Sequence, residues 1–448
     1  MKLKHRRILF SLFVLMFAVS AAFVVLYANG YRYHPQKKRV EKTGELIVES
    51  VPKKSDIFLN GQAASSRIFG MQSGIAQTPA TLSYLPSGDY RLELKKEDYY
   101  PWAADVTVYS SRSTILKDVV LLARQDPTLI VERQGIALLK RIDSTRICYV
   151  AGNDVFVFNE STRQSERIYH GSAIDQHFLL PSPRGAKIAI RDSGSYRIIT
   201  IDTADVTVLE RQLQWTGLQW ISEQSILGIT PVAVFSIALP SQKSQLAYKG
   251  IISDSATMEG AALVLVRNQK GSSLVRVWGT GQAVDSSEIA QFPLQFKSIE
   301  SAYDKMVALR DLKGDLFLFD STSSSSPLIQ LPSGRIFWLS RNTFALTNDY
   351  ELWMYVRSGA TYQSSLLTRQ SSAISTIFFG KEIPYVFFTA DKKLKAIDAS
   401  GKGSLNRYVL EGEDVGSSIQ SMHGTRIYTV AAFKGQQGLF EYEILPQR

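Results

Sequence analysis

The chain reads as an all-β protein with one apolar helix at its start: a helix of membrane length, a small β domain, then a β-propeller of seven or eight blades. Three observations predict this. Ile8 to Tyr27 form one unbroken apolar run. Tyr90, Leu92 and Leu94 alternate with Arg91, Glu93 and Lys95, the period of a strand with one buried face. Beyond residue 150, short apolar β-type runs recur roughly every 40 residues, the length a four-stranded blade needs.

The apolar run comes first. About 20 residues at ~1.5 Å each reach about 30 Å, the thickness of a bilayer core. Only Ser11 and Ser20 interrupt its hydrocarbon character, and a helix hides both hydroxyls by bonding them back to its own carbonyls. The competing reading is a cleavable signal, because Ala18-Val19-Ser20 before Ala21 has a small-x-small form. The run continues through Phe23, Val24, Val25 and Leu26, where a cleaved signal turns polar, so an uncleaved anchor is expected. Lys2, Lys4, Arg6 and Arg7 precede the run; Arg32, Lys37, Lys38, Arg39 and Lys42 follow it. These counts do not separate the two sides. A short cationic tail resists translocation, so residues 1–7 are expected inside and the bulk of the chain outside. No second run reaches membrane length, so a single span is expected.

The net charge of +10 belongs to this anchor. Residues 1–42 hold nine Lys/Arg and one acid, Glu41, a net of +8. The remaining 406 residues hold 42 basic and 40 acidic side chains. The basicity is a collar that meets anionic headgroups, and a nucleic-acid partner is not expected. A single cysteine, Cys148, excludes an intramolecular disulfide and any cysteine-cluster metal site; within Ile147-Cys148-Tyr149-Val150 it reads as a buried thiol. About 400 residues after the anchor call for at least two domains.

After a basic linker at 28–43, short strands begin. Gly44–Ser50 is a strand, followed by Val51-Pro52. Ile57-Phe58-Leu59 ends in Asn60-Gly61, a turn signal because both residues accept positive φ. Thr78-Pro79 and Leu85-Pro86-Ser87-Gly88 punctuate the stretch before the Tyr90–Lys95 alternation. Val106 and Val108 begin another strand, and Ile115–Leu122 supply the last.

In this stretch, Ser50-Val51-Pro52, Phe58-Leu59-Asn60-Gly61, Thr78-Pro79, Leu85-Pro86-Ser87-Gly88-Asp89-Tyr90 and Lys96-Glu97-Asp98-Tyr99 together resemble the PEGA domain in order and spacing. The resemblance covers residues 44–123 and implies a small β-sandwich-like module of the bacterial or archaeal envelope, with a binding or spacing role and no chemistry. Two departures stand out: Pro52-Lys53-Lys54-Ser55 lacks the family's Gly and Ala, and Gln62–Gln77 is longer than usual, either a contact loop or a surface excursion. Tyr99, Tyr100 and Trp102 form a compact aromatic group. They are the candidate ligand contacts, as a sugar-stacking platform, set against plain packing on the sheet or the next domain.

From 125 to 448 the repeat takes over. Val155–Phe158, Tyr196–Ile201, Val232–Ile237, Leu274–Trp278, Leu316–Asp320, Leu352–Val356, Leu394–Asp398 and Leu439–Ile444 lie roughly 36–45 residues apart. Ser182-Pro183-Arg184-Gly185, running into Ile188-Ala189-Ile190, resembles the strand pair of TolB-like and WD40-like propellers, with Arg184 where those families prefer Asp. Spacing counts eight units; seven blades and one irregular unit fit nearly as well. Trp215, Trp220, Trp278, Trp338 and Trp353 sit inside apolar strands and read as blade packing.

His5, His34, His170, His177 and His423 show no metal spacing, and no nucleophile elbow or phosphate-cradling loop occurs. Leu394-Lys395-Ala396-Ile397-Asp398-Ala399-Ser400-Gly401-Lys402 is similar to a blade motif of quinone-dependent propeller dehydrogenases, but it occurs once and Arg407-Tyr408-Val409 stands where its tryptophan should close it. It is expected to be a turn coincidence. No catalytic residue, cofactor or metal is expected. The leading functional expectation is a non-enzymatic, membrane-tethered envelope protein: a spacer or wall-adaptor module, and a propeller that binds a protein or glycan, with the bilayer itself a partner through Ile8–Tyr27. The alternative is an envelope enzyme whose active site lies in the propeller channel. A transmembrane sensor ranks last, since a seven-residue tail has no room for an output domain.

Overall fold

A computed structural model of the chain describes residues 3–34, 39–68, 71–209, 215–239, 241–258, 261–280, 283–322, 326–402 and 406–445. Lys2, Pro35, Lys37 and Lys38 of the basic collar and linker lie outside the described residues, as do Phe69 and Gly70 of the long segment after Gly61. The chain divides into two compact units: residues 1–125, 398–408 and 444–448 form the first, and residues 126–397 and 409–443 the second.

The first unit starts with a helix at Leu3–Ala28. Its stretch Leu9–Ala28 is long and apolar enough to cross a membrane, and none of it is buried in the protein. The Ser20 hydroxyl donates to the Phe17 carbonyl at 3.0 Å, as an apolar helix requires. The stretch read as a linker carries a hairpin, Tyr31–His34 against Arg39–Lys42.

Two sheets follow. Gly44–Val51 lies between Ser113–Val120, parallel, and Ala80–Leu85, antiparallel. Trp102–Val108, Gly88–Lys95, Asp56–Leu59 and Gln62–Ala63 make the other. Their facing side chains, among them Leu46, Val48, Ile57, Leu92, Leu94 and Val106, form one buried cluster. Along Gly44–Val51 burial alternates residue by residue, the mark of a strand with one face in the core. Leu92 and Leu94 are fully buried, and half-buried Tyr90 donates its hydroxyl to the Pro86 carbonyl at 2.8 Å. Asn60 and Gly61 have φ of 50° and 78°, the two-residue turn that the dipeptide predicts. The Ser-x-Pro and Thr-Pro steps meet in space: buried Ser50 Oγ lies 2.6 Å from Thr78 Oγ1, which also accepts the Ser55 N–H at 3.1 Å. Part of the long segment forms its own hairpin, Ser65–Ile68 with Met71–Ile75.

The second unit is a propeller. Among the described residues there are eight four-stranded antiparallel sheets beyond the first β domain, so the seven-blade alternative drops out. All eight runs picked out by spacing are the third strands of their sheets. Gln436–Glu443, for example, is the third strand of the last sheet to be completed. The first strands of successive sheets lie side by side, as Ile136–Arg141 does with Ile174–Pro181, so they form the inner ring. Several second-to-third turns need two positive-φ residues in a row: Ser193-Gly194, Asp391-Lys392 and Lys434-Gly435.

Closure is a pairing of chain-distant strands. Thr128–Glu132, the first strand of the unit, pairs antiparallel with Gln436–Glu443, the last, completing the sheet that also holds Arg426–Phe433 and Ser418–Gln420. The approach is tight: a Cβ on Gly438 would lie 2.0 Å from the Val131 carbonyl oxygen. Beside this seam, Arg163 of the first full blade reaches both oxygens of buried Glu441 at 3.2 Å, and Arg141 donates to the Gln420 carbonyl at 2.8 Å.

Hairpins are pinned by buried acids. Asp192, 1 % exposed, accepts the Ala173 and Ser172 N–H groups and the Tyr169 hydroxyl, with Arg197 Nε at 3.1 Å. Burial alone would raise its pKa, but these donors and Arg197 together hold the carboxyl below the usual range. Burial and this acid push the Tyr169 phenol up to about 12.

Two outcomes follow from this packing. Gly438→Ala, which forces a Cβ against the Val131 carbonyl, will cost about 1–3 kcal/mol in urea unfolding followed by near-ultraviolet circular dichroism; an unchanged midpoint would show that the seam has slack. Asp192 is depressed in the folded state, so its contribution is present above the unfolded carboxylate pKa of about 4 and is lost as pH falls through the folded value. The stability gap between wild type and Asp192→Asn will therefore be widest near neutrality and shrink on acidification below about pH 4. A gap constant over that range would contradict this role.

Candidate functional site

The ends of the inner strands build the site. In a radial sheet the first strand stands nearest the axis, and its C-terminal end turns outward into the second strand at one face of the ring. There, side chains from six blades converge on two adjoining hollows.

One, of about 360 Å³, is lined by Leu180, Pro181, Trp220, Met258, Ala302 and Tyr303, with Pro183, Thr257 and Asp304 completing it. The other, of about 320 Å³, lies between Phe337-Trp338-Leu339 and Ile377-Phe378-Phe379, with Lys381 at its edge. Tyr303 and Trp338 join them: the two rings stack with centroids 6.0 Å apart and planes 18° from parallel. The Trp338 indole N–H donates to Ser301 Oγ at 2.9 Å, and the Trp220 N–H to the Leu180 carbonyl at 2.9 Å. Their polar atoms are already satisfied; Trp220 is buried, and half-buried Trp338 offers apolar surface alone. Tyr303 is 42 % exposed and Leu339 43 %, so this lining is open to a partner.

The polar groups at the mouth are sparse. Asp304 sits in the tight turn after Tyr303, at φ 53°. Lys381 takes a pKa below the usual lysine value, first from burial and second from the nearby Arg141 charge. Its backbone N–H donates to Gln420 Oε1 at 3.1 Å. Such a lining can hold apolar and aromatic groups by burial, with one acid and one amine to orient them.

The aromatic group expected to contact a ligand is placed elsewhere, in the first unit. Trp102 is 1 % exposed, so it offers no open face for stacking a sugar. Its indole N–H donates to Asp398 Oδ2 at 2.7 Å. Asn406 bonds both backbone groups of Ala103, accepting at 2.9 Å and donating at 3.0 Å, and the Tyr408 hydroxyl donates to the Pro101 carbonyl at 3.0 Å. The Tyr100 ring lies 5.0 Å from that of Tyr408, and Tyr99 packs on the core of the β-sandwich. Trp102 thus serves the packing of the first unit, while Tyr99 and Tyr100 are half-buried. The fragment read as a turn coincidence, Leu394–Lys402, supplies Asp398 to Trp102, and Asp398 Oδ1 also accepts the Ser400 N–H at 2.8 Å.

Sequence reasoning missed Tyr303, Phe337 and Phe378 and assigned Trp338 to blade packing. Their spacing along the chain is the blade repeat itself, so no local motif marks them. The one available signal is that Phe337-Trp338-Leu339 and Phe378-Phe379 are aromatic at the same place in neighbouring repeats.

Comparison with known proteins agrees with both units. Residues 43–120 match the PEGA domain family. No curated protein matches the chain. Among solved structures, the C-terminal WD40 domain of Sif2 aligns with 72 % of this chain and 99 % of its own length at a TM-score of 0.51 and 12 % identity. The structure described as the eukaryotic initiation factor aligns with 77 % of this chain and 95 % of its own, at a TM-score of 0.49 and 11 % identity. At such identity the Sif2 likeness concerns the fold alone. The chain therefore carries a PEGA domain at residues 43–120, ahead of an eight-bladed propeller of WD40-like fold.

Proposed function

We propose that this is a non-enzymatic, membrane-tethered protein of the cell envelope, with Ile8–Tyr27 spanning the bilayer, residues 1–7 inside and the remainder outside. The PEGA domain acts as spacer or wall adaptor, and the propeller is a scaffold that binds a protein partner through the mouth built on Tyr303 and Trp338. The observation that carries this reading is the composition of that mouth: aromatic and aliphatic side chains from six blades around one acid and one amine. Interface hot spots are built from such buried aromatic anchors. A glycan site needs hydroxyl partners set beside an aromatic face, and the mostly apolar lining favours a protein segment instead. For the alternative, an enzyme in the channel, convergent acids or bases would be required, whereas the mouth brings together Asp304 and Lys381 alone among its lining residues.

The test uses the full chain in detergent, offered to envelope extract with and without cross-linking, and in parallel to purified wall polymer. Wild type will retain a protein partner, and Tyr303→Ala/Trp338→Ala will weaken that capture by about tenfold or more, the scale of losing interface anchors. Equal capture by wild type and variant, or retention of wall polymer alone, would contradict the mouth as the binding surface. The folded state of the variant is checked by its urea midpoint.

A further inference from the structure

The last turn of the apolar helix and one end of the first β domain are joined through a single arginine. The Arg32 guanidinium lies 3.5 Å from the centroid of the Tyr27 ring, on that last turn, and 4.3 Å from the centroid of the Tyr84 ring, at the end of the strand Ala80–Leu85. Its Nη1 also donates to the Tyr27 carbonyl at 2.7 Å, covering the negative end of the helix. Behind it, Gly30 O accepts both the backbone N–H and the hydroxyl of Thr43 at 3.0 and 2.7 Å. Thr43 O in turn accepts the Ser111 N–H at 3.0 Å, and Ser110 Oγ donates to Lys42 O at 2.8 Å. Gly44 packs so closely on this loop that a Cβ there would lie 2.2 Å from the Tyr109 carbonyl oxygen. The Tyr109–Arg112 loop is therefore fixed a few bonds from the point where the helix ends.

This end of the domain has a distinct surface. Tyr84 is 53 % exposed and Tyr109 56 %. Beside Tyr84 opens a polar hollow of about 370 Å³, lined also by Asn29, Lys42, Thr43, Ser111 and Arg112, with Glu45 on one wall. The Glu45 carboxylate is held by the hydroxyls of Ser83 and Ser113 at 2.8 and 2.9 Å, and the lining sets two cations, Lys42 and Arg112, against this one anion. Exposed tyrosines with adjacent basic side chains suit the headgroup layer of a bilayer, where an aromatic body sits against acyl chains and its hydroxyl in water. A membrane span whose last residue is Tyr27 must place everything bonded within a few ångström of Tyr27 at that depth.

We infer that this end face is a second membrane contact: Tyr84 and Tyr109 lie in the headgroup layer, and the hollow beside Lys42 and Arg112 seats the phosphate of a phospholipid headgroup. The inference rests on the reading of the helix as a membrane span. It goes further in making the PEGA domain lipid-bound on its own account rather than merely tethered.

The test places the full chain in vesicles of phosphatidylcholine, with or without phosphatidylglycerol. Cys148 is fully buried, so a nitroxide reagent attaches at one introduced thiol. Ser110→Cys reports on the proposed face, and Glu97→Cys reports on the opposite end of the strand Gly88–Lys95, about 23 Å away along the sheet. The Ser110 label will be several-fold less accessible to a water-soluble nickel chelate than the Glu97 label, and more so with phosphatidylglycerol present. Lys42→Glu/Arg112→Glu, made in the Ser110→Cys chain, will return it toward water. Equal accessibility at the two positions in protein that floats with the vesicles would overturn the inference. So would a Ser110 label indifferent to the charge reversal. Protein that fails to float with the vesicles would instead overturn the membrane span.

Discussion

The pairing of Thr128–Glu132 with Gln436–Glu443 is the constraint on which the propeller depends. A ring of radial sheets buries its blade faces only when the last blade meets the first. The chain achieves this by lending its first strand to its last sheet, so the two ends of the unit cannot separate without breaking a strand ladder. An open ring would leave whole blade faces wet and its terminal sheets free to pair with other chains. Glycine at 438 lets the strands approach, and the Arg163–Glu441 contact ties the seam to the first full blade.

From closure comes the mouth. Once eight first strands are gathered around one axis, their C-terminal ends lie together although they are spread over about 280 residues from Arg141 to Gln420. Six of the blades contribute between one and four side chains each. Tyr303 and Trp338 come from adjacent blades and meet as a stacked pair, so a shallow apolar surface forms without any residue leaving its strand. The same logic separates this site from the aromatic group of the first unit. Tyr99, Tyr100 and Trp102 follow one another closely in sequence, yet Trp102 is buried, with its partner Asp398 lying 296 positions away.

How much was legible follows from burial. The third strands are mostly buried, Leu316–Asp320 along its whole length, so they appear as apolar runs and disclose the blade period. Some fourth strands are short and partly wet: Val206–Val208 and Arg407–Val409 have three residues each and no pattern to read. Asn60-Gly61 announces its turn, whereas Asp391-Lys392 adopts the same two positive φ values without a glycine and stays hidden. The PEGA resemblance was legible because its Ser50 and Thr78 steps serve one buried hydroxyl contact, which holds both their types and their spacing. The mouth was not, because its residues are chosen by position in the ring and carry no shared local chemistry. Blade number was half legible: spacing counted eight units, and the closing strand, which decides the matter, is an ordinary five-residue segment in the sequence.

Hydrogen exchange of the full chain, resolved by peptide, tests closure most directly. If the seam carries the ring, amides of residues 128–132 will exchange as slowly as those of Leu439 to Tyr442, since opening either strand opens both. Exchange of residues 128–132 at the rate of a free loop, with residues 426–443 still protected, would show that the last sheet stands without its borrowed strand and would contradict the account.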